Sequence, residues 1–114
     1  MNKCIIIGNL TRDPELRTTQ DGVAVCTFKV AVNKRTTKNH PETEYFKVTA
    51  WRELGQNCAK FLAKGKKVYV AGPVSVSSYE GKDGNTYMDL EIRADEVEFL
   101  SPREKADGVE GEEA

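Results

Sequence analysis

A chain of 114 residues with a formal net charge of −1 has room for one domain and a modest core. Its mean hydropathy is −0.56, and no apolar run approaches the roughly 18 residues of a spanning helix. No membrane partner is therefore expected, and the chain is read as cytoplasmic. Cys4, Cys26 and Cys58 are widely spaced, no Cys-x-x-Cys occurs, and His40 is the only histidine. That pattern excludes the usual Cys/His zinc site. The three thiols read as small hydrophobes, and neither a metal nor another cofactor is expected.

The near-neutral charge hides a segregation. From Lys29 to Lys67 there are ten basic residues against three acidic ones, a balance of +7. From Glu80 to Glu98 two basic residues face seven acidic ones, and residues 101–114 carry a further −3. A near-neutral protein of this kind can bind a polyanion if its basic part forms one surface.

The elements follow from alternation and punctuation. Met1 to Gly8 has only a short apolar run and reads as the approach to a first strand, Cys4 to Leu10, not as a signal peptide. Asp13-Pro14 breaks that strand and Asp21-Gly22 marks a turn. Val23 to Val32 alternates, with Ala24, Cys26, Phe28, Val30 and Val32 on the expected core face. Asn33 to Thr43 is a polar loop carrying Lys34, Arg35, Lys38 and His40-Pro41. Glu44 to Arg52 is a third strand. Leu54, Cys58, Phe61 and Leu62 then fall on one stripe of a helix of about ten residues. Lys60 and Lys64 sit off that stripe in its last two turns, and Gly65 suits a C-terminal cap. Lys67 to Tyr79 is a fourth strand, interrupted at Gly72-Pro73 by a bulge, bend or edge. Glu80 to Asn85 makes a hairpin loop. Thr86 to Leu100 is the fifth strand, with Met88, Leu90 and Ile92 inward and Asp89, Glu91 and Arg93 outward. Val97, Phe99 and Leu100 finish a domain spanning residues 1–100. Residues 101–114 are polar and acidic and are expected to be a disordered tail.

The third strand carries the chemistry. Phe46, Val48 and Ala50 share a plain apolar face, whereas Tyr45, Lys47, Thr49 and Trp51 share the other. Two large rings with a cation between them suit a sheet on which unpaired bases stack while a phosphate passes nearby. An ordinary strand with one ring covering a neighbour would show the same pattern. Three strands, a helix and two strands is the element order of an OB-fold. The expected fold is therefore all-β with one short helix, a five-stranded and partly open barrel.

Three segments tie this reading to a family. Asn2-Lys3 followed by Ile5-Ile6-Ile7-Gly8-Asn9-Leu10-Thr11-Arg12-Asp13-Pro14-Glu15-Leu16-Arg17 resembles the opening of bacterial and phage single-stranded DNA-binding proteins. Thr43-Glu44-Tyr45-Phe46-Lys47-Val48, and Tyr79 ahead of Lys82-Asp83-Gly84-Asn85, resemble the family's later strands. The resemblance covers residues 1 to about 100. It implies base stacking on Tyr45, Trp51 and Tyr79 and basic contacts at Lys47 and Lys64. It also places Lys34 and Arg35 in the loop folded over the strand. It further implies single-stranded DNA as partner, self-assembly as a homotetramer or dimer, a role in replication, recombination and repair, and association with the nucleoid. The chain departs from the family in three places. Asn33 to Thr43 holds no aromatic residue. Ser75-Val76-Ser77-Ser78 stands where the family is often basic. The sequence closes on Gly-Glu-Glu-Ala rather than on an acidic Pro-Phe tip, so the resemblance does not extend to recruitment of partners through the tail.

The alternative reading is a specialised OB-fold accessory protein of replication restart or recombination, with another protein as its main partner. An enzyme is not expected. The chain has no Gly-x-x-x-x-Gly-Lys-[Ser/Thr] phosphate loop and no His-Glu-x-x-His, and His40 sits in a polar loop without a catalytic companion.

Overall fold

The computed structural model describes residues 1–34 and 42–101. Arg35, His40, the side chain of Lys34 and the tail from Pro102 onward lie outside the described residues. The elements are β1 (Cys4–Leu10), β2 (Glu15–Thr18), β3 (Ala24–Lys34), β4 (Glu42–Trp51), α1 (Arg52–Phe61), β5 (Lys67–Gly72), β6 (Val74–Glu80), β7 (Thr86–Arg93) and β8 (Glu96–Phe99). They form an all-β fold with one short helix, built as an eight-stranded sheet that does not close into a ring.

The sheet runs in the order β6, β7, β4, β3, β1, β5, β8, and β2 pairs with β3. β3 shares one edge between two partners. β2 pairs with its residues Ala24 to Thr27, and β1 with Val30 and Ala31. Its other edge pairs with β4 from Val25↔Trp51 to Lys34↔Glu42. β4 then pairs in parallel with β7, and after Ala94-Asp95 the chain continues into β8, which pairs with β5. One continuous segment thus links the two ends of the wall, as the open OB barrel requires.

Alternation determines which side is core. Cys26, Phe28, Val30, Phe46, Val48 and Ala50 are buried, as their phase in β3 and β4 predicts. Ile6 and Leu10 of β1, Val68 and Val70 of β5, and Ile92 of β7 join them in one cluster. Cys58 and Leu62 cover that cluster from the helix side. Cys26 and Cys58 are buried free thiols, whereas Cys4 is half-buried. Burial disfavours the thiolate, which pushes the thiol pKa of Cys26 up to about 11 and that of Cys58 up to about 12.

Several details differ from the sequence expectation. The fourth strand divides at Gly72-Pro73, where its interruption is expected, but the expected fifth strand is divided as well and a short β2 is added. The first division has a visible cause. Pro73 has no N–H to give a ladder. At Gly72 an added Cβ would collide with the Arg93 carbonyl oxygen, so only glycine lets the two segments cross there. The Pro73 carbonyl accepts from the Arg93 N–H at 3.0 Å and the Ala71 carbonyl from the Asp95 N–H at 2.8 Å, which carries pairing through the bend. Asn2 reinforces it. Its amide donates to the Val74 carbonyl at 2.9 Å and its side-chain oxygen accepts from the Val74 N–H at 3.1 Å.

The helix is displaced by one turn from the expected stop. It ends at Phe61, and Leu62 is its C-cap, donating to the Cys58 carbonyl at 2.9 Å. Lys64 and Gly65 therefore lie beyond it, in the turn leading to β5. Phe61 is exposed and packs on Phe99 with ring centres 5.7 Å apart, instead of entering the core. Met88 is exposed too, because the β6–β7 hairpin extends past the barrel and, among the described residues, nothing covers its inner face there. Phe99 and Leu100 are likewise exposed, and Val97 alone of that group packs against the core.

Candidate nucleic-acid interface

The outer face of β4 follows from its buried one. With Phe46, Val48 and Ala50 inward, Tyr45, Lys47, Thr49 and Trp51 must face out. Tyr45 is 55% exposed and Trp51 38%. The ladders extend this surface sideways. Lys47 stands opposite Lys29 on β3 and opposite Glu91 on β7, and Thr49 stands opposite Thr27 and Arg93. Tyr87, Asp89, Glu91 and Arg93 share one phase of β7, and Tyr79 of β6 pairs directly with Tyr87. Four rings and several cations therefore lie on one side of a single sheet.

Its centre is a groove of roughly 900 Å³ lined by Tyr45, Lys47 and Lys29, with Arg12, Thr27 and Asp89 among its other walls. Two lysines directly across a ladder repel each other, a cost of the order of 0.2–1 kcal/mol. Among the described residues no carboxylate lies within ion-pair distance of Lys29 or Lys47. Glu91 is engaged instead by Thr49, whose hydroxyl donates to it at 3.0 Å. An anion laid in the groove would neutralise an opposition that the fold leaves in place.

Trp51 marks one end. It closes β4 and is the N-cap of α1, with no side-chain capping bond. Arg52 takes a left-handed φ of 62°, which turns the strand into the helix with no connecting loop. The Arg93 guanidinium lies 5.9 Å from the centre of the Trp51 ring. The other end is the β6–β7 hairpin, where Tyr79 is 51% exposed.

The structure thus brings Tyr45 and Lys47 into one groove and sets Trp51 and Tyr79 on the same face at its two ends. Lys64 is held elsewhere, in the turn after the helix. Its backbone N–H donates to Asp13 at 2.9 Å. Asp13 lines the groove, but Lys64 does not. Lys34 places only its backbone, in the ladder with Glu42. Lys29, the first residue of the basic segment, joins Lys47 in the groove. Three other residues of the surface were not singled out from sequence. Arg12 and Arg93 read as ordinary solvated charges until the fold sets them beside Tyr45, Lys47 and Trp51. Tyr87 was hidden by the hairpin register that pairs it with Tyr79.

An open OB wall with rings and cations on one face defines a small β-barrel binding protein. The single-strand binding protein family matches residues 1–100. The chain is 40% identical over 111 residues to "Single-stranded DNA-binding protein 2" of Listeria innocua serovar 6a, covering 96% of this chain and 70% of that one. It is 42% identical over 113 residues to the protein of the same name from Listeria monocytogenes serovar 1/2a, covering 97% and 69%. With "Single-stranded DNA-binding protein" of Bacillus cereus it shares 41% over 105 residues, 90% of this chain and 62% of the relative. The chain belongs to the single-strand binding protein family, whose members are binding proteins and not enzymes. Among the described residues, no helix is long and apolar enough to cross a membrane.

Proposed function

We propose that the protein binds single-stranded DNA with little regard to sequence, by stacking bases on Tyr45, Trp51 and Tyr79 while Lys47 and Lys29 meet the phosphates. The observation that carries this reading is the groove: an exposed ring beside two lysines that face each other across a ladder, on the outer wall of an open barrel. Every base has a π-face, so stacking tolerates any sequence. Lysines attract phosphates without demanding one register. The names of the curated relatives support the same ligand. Residues 1–100 serve as the binding unit. Lys34, Arg35 and Lys64 serve as outlying phosphate contacts.

Protection of exposed single strands during replication, recombination and repair, in the cytoplasm at the nucleoid, follows from such binding. The working form is a homotetramer. Ile5 and Ile7 on the outer face of β1 are 56% and 49% exposed, apolar surface that self-association would cover. Several linked barrels would also raise the effective concentration of stacking sites along one strand.

Anisotropy titrations of labelled oligo(dT), oligo(U) and a duplex of equal length test the reading. Oligo(dT) should bind, and more tightly as its length grows. Duplex should bind far more weakly, because its bases are already stacked. Equal affinity for duplex would show phosphate attraction alone and defeat the stacking half of the proposal. Analytical ultracentrifugation of the parent and of Ile7→Lys tests the assembly, with a monomeric parent as the contrary result.

A further inference from the structure

The β6–β7 hairpin has no core of its own. β6 has no fully buried residue, and Thr86, Tyr87 and Met88 of β7 are exposed as well. Tyr79 therefore has no packed underside to hold its ring, unlike Tyr45 on β4. Its support is another side chain. Tyr79 and Tyr87 are direct cross-strand partners, with ring centres 5.7 Å apart and planes inclined by 29°. That is an offset stack.

Tyr87 is in turn held from two further sides. Its hydroxyl donates to the Asp83 carboxylate. Asp83 is fixed by Asn85, whose backbone N–H donates to it at 3.0 Å and whose side-chain amide donates at 3.1 Å. These hydrogen bonds, that from Tyr87 foremost, hold the Asp83 carboxyl below the ordinary carboxylate range, so it stays an ionised acceptor. The Tyr87 ring also lies across Gly81, where an added Cβ would come within 3.0 Å of Tyr87 Cδ2 and nearer still to Cε2. Stack, carboxylate and bare Cα together determine both torsions of the Tyr87 side chain.

We propose that Tyr87, latched by Asp83 over Gly81, is a positioning residue that presents Tyr79 to a base. The proposal rests on the reading that Tyr79 stacks a base of single-stranded DNA. Tyr87 occupies one side of the Tyr79 ring and leaves it half exposed, so an incoming base extends a stack already begun. The ring is ordered before binding, and its ordering is not charged against affinity. Ordering one side chain is worth about two- to tenfold in affinity.

A double-mutant cycle read by oligo(dT) anisotropy tests this, with thermal melting as the folding control. Tyr87→Ala should weaken binding about two- to tenfold in the parent and not at all in a Tyr79→Ala background. Tyr87→Phe should restore most of the loss, since it keeps the stack and forfeits only the latch. Gly81→Ala, which removes no functional group but displaces the ring, should weaken binding about as Tyr87→Phe does. Melting temperatures should stay within a few degrees of the parent throughout, because no core residue changes. An equal loss in both backgrounds would make Tyr87 an independent contact and overturn the positioning role. So would an unaltered affinity in Tyr87→Ala when Tyr79→Ala weakens binding. Unchanged affinity in Tyr79→Ala, with Tyr45→Ala still weakening it, would remove Tyr79 and its latch from the interface. Unchanged affinity in both Tyr45→Ala and Tyr79→Ala would defeat the stacking reading itself.

Discussion

The β3–β4 wall and the β6–β7 hairpin both present tyrosines outward, and they hold them by opposite means. On β4 each outward residue alternates with a buried one, so Phe46, Val48 and Ala50 anchor the strand that carries Tyr45 and Trp51. On the hairpin Val76 and Met88 face inward by phase yet are 60% and 72% exposed, because no second layer of the described residues reaches them. The wall positions its rings through the core. The hairpin positions its rings through one another and through Asp83. The same period-2 pattern thus has two energetic meanings, decided by whether a cover exists on the inner side.

The largest expected effect separates the two regions by stability. Phe46→Ala empties a packed site and should cost about 3–5 kcal/mol. Val76→Ala, at the same phase of an uncovered strand, should stay within about 0.5 kcal/mol. Urea denaturation of both variants checks the contrast, and a comparable loss in Val76→Ala would place a hidden layer under the hairpin.

Binding should then follow the rings. Tyr45→Ala and Trp51→Ala should each cost about 1–3 kcal/mol of affinity for oligo(dT). Neither should lower stability appreciably, since Tyr45 faces solvent and Trp51 makes no side-chain capping bond. Unfolding of Trp51→Ala would mean instead that the ring braces the strand-to-helix turn.

A smaller effect belongs to the lysine pair. Each neutralised phosphate contributes about −0.7 to the slope of log K against log salt on a single strand. Lys29→Gln and Lys47→Gln should each reduce the steepness of that slope by somewhat less than one unit. Each should also raise stability by about 0.2–1 kcal/mol, because the opposed charges across the β3–β4 ladder are relieved. A variant that loses both affinity and stability would contradict the repulsion.

The effects of pH divide the regions again. Cys26 and Cys58 have pKa values in the fold raised to about 11 and 12 by burial. A raised pKa means their contribution is complete below the ordinary thiol value of 9.0 and fades as pH climbs through 11 to 12. The core should thus weaken in alkali. The Asp83 latch has the other sign. Its lowered pKa means the contribution is present above the ordinary carboxylate value of 3.8 and is lost as pH falls through its value in the fold. Melting temperature against pH should fall above about pH 9, and fall less in a Cys58→Ala variant. A decline that Cys58→Ala leaves unchanged would assign it to other groups.

How far the sequence could be read follows the same division. The faces of β3 and β4 were legible, because strict alternation there coincides with burial on one side. The bend at Gly72-Pro73 was legible as well, since proline and glycine state their constraint locally. Met88 and Phe61 were misplaced for one reason: periodicity tells which side a residue takes, not whether that side is covered. The break at Ala94-Asp95 carries no proline or glycine. It comes from the strand leaving β4 for β5, a tertiary fact. Arg93 beside Trp51 and Tyr87 beneath Tyr79 were out of reach because each depends on cross-strand register. Register joins residues more than forty positions apart in the first case and spans a hairpin loop in the second. Tyr45 and Lys47, by contrast, lie two residues apart on one strand, and their meeting in the groove needs only the pleat.

The intrinsic fluorescence of Trp51 tests the central claim most directly, since it is the only tryptophan in the chain and stands on the proposed binding face. Titration with oligo(dT) should quench its emission in proportion to the complex formed. The quenching should saturate together with the anisotropy signal and reverse at high salt. Saturated anisotropy with unaltered Trp51 emission would show that DNA binds elsewhere, and would contradict the assignment of this face.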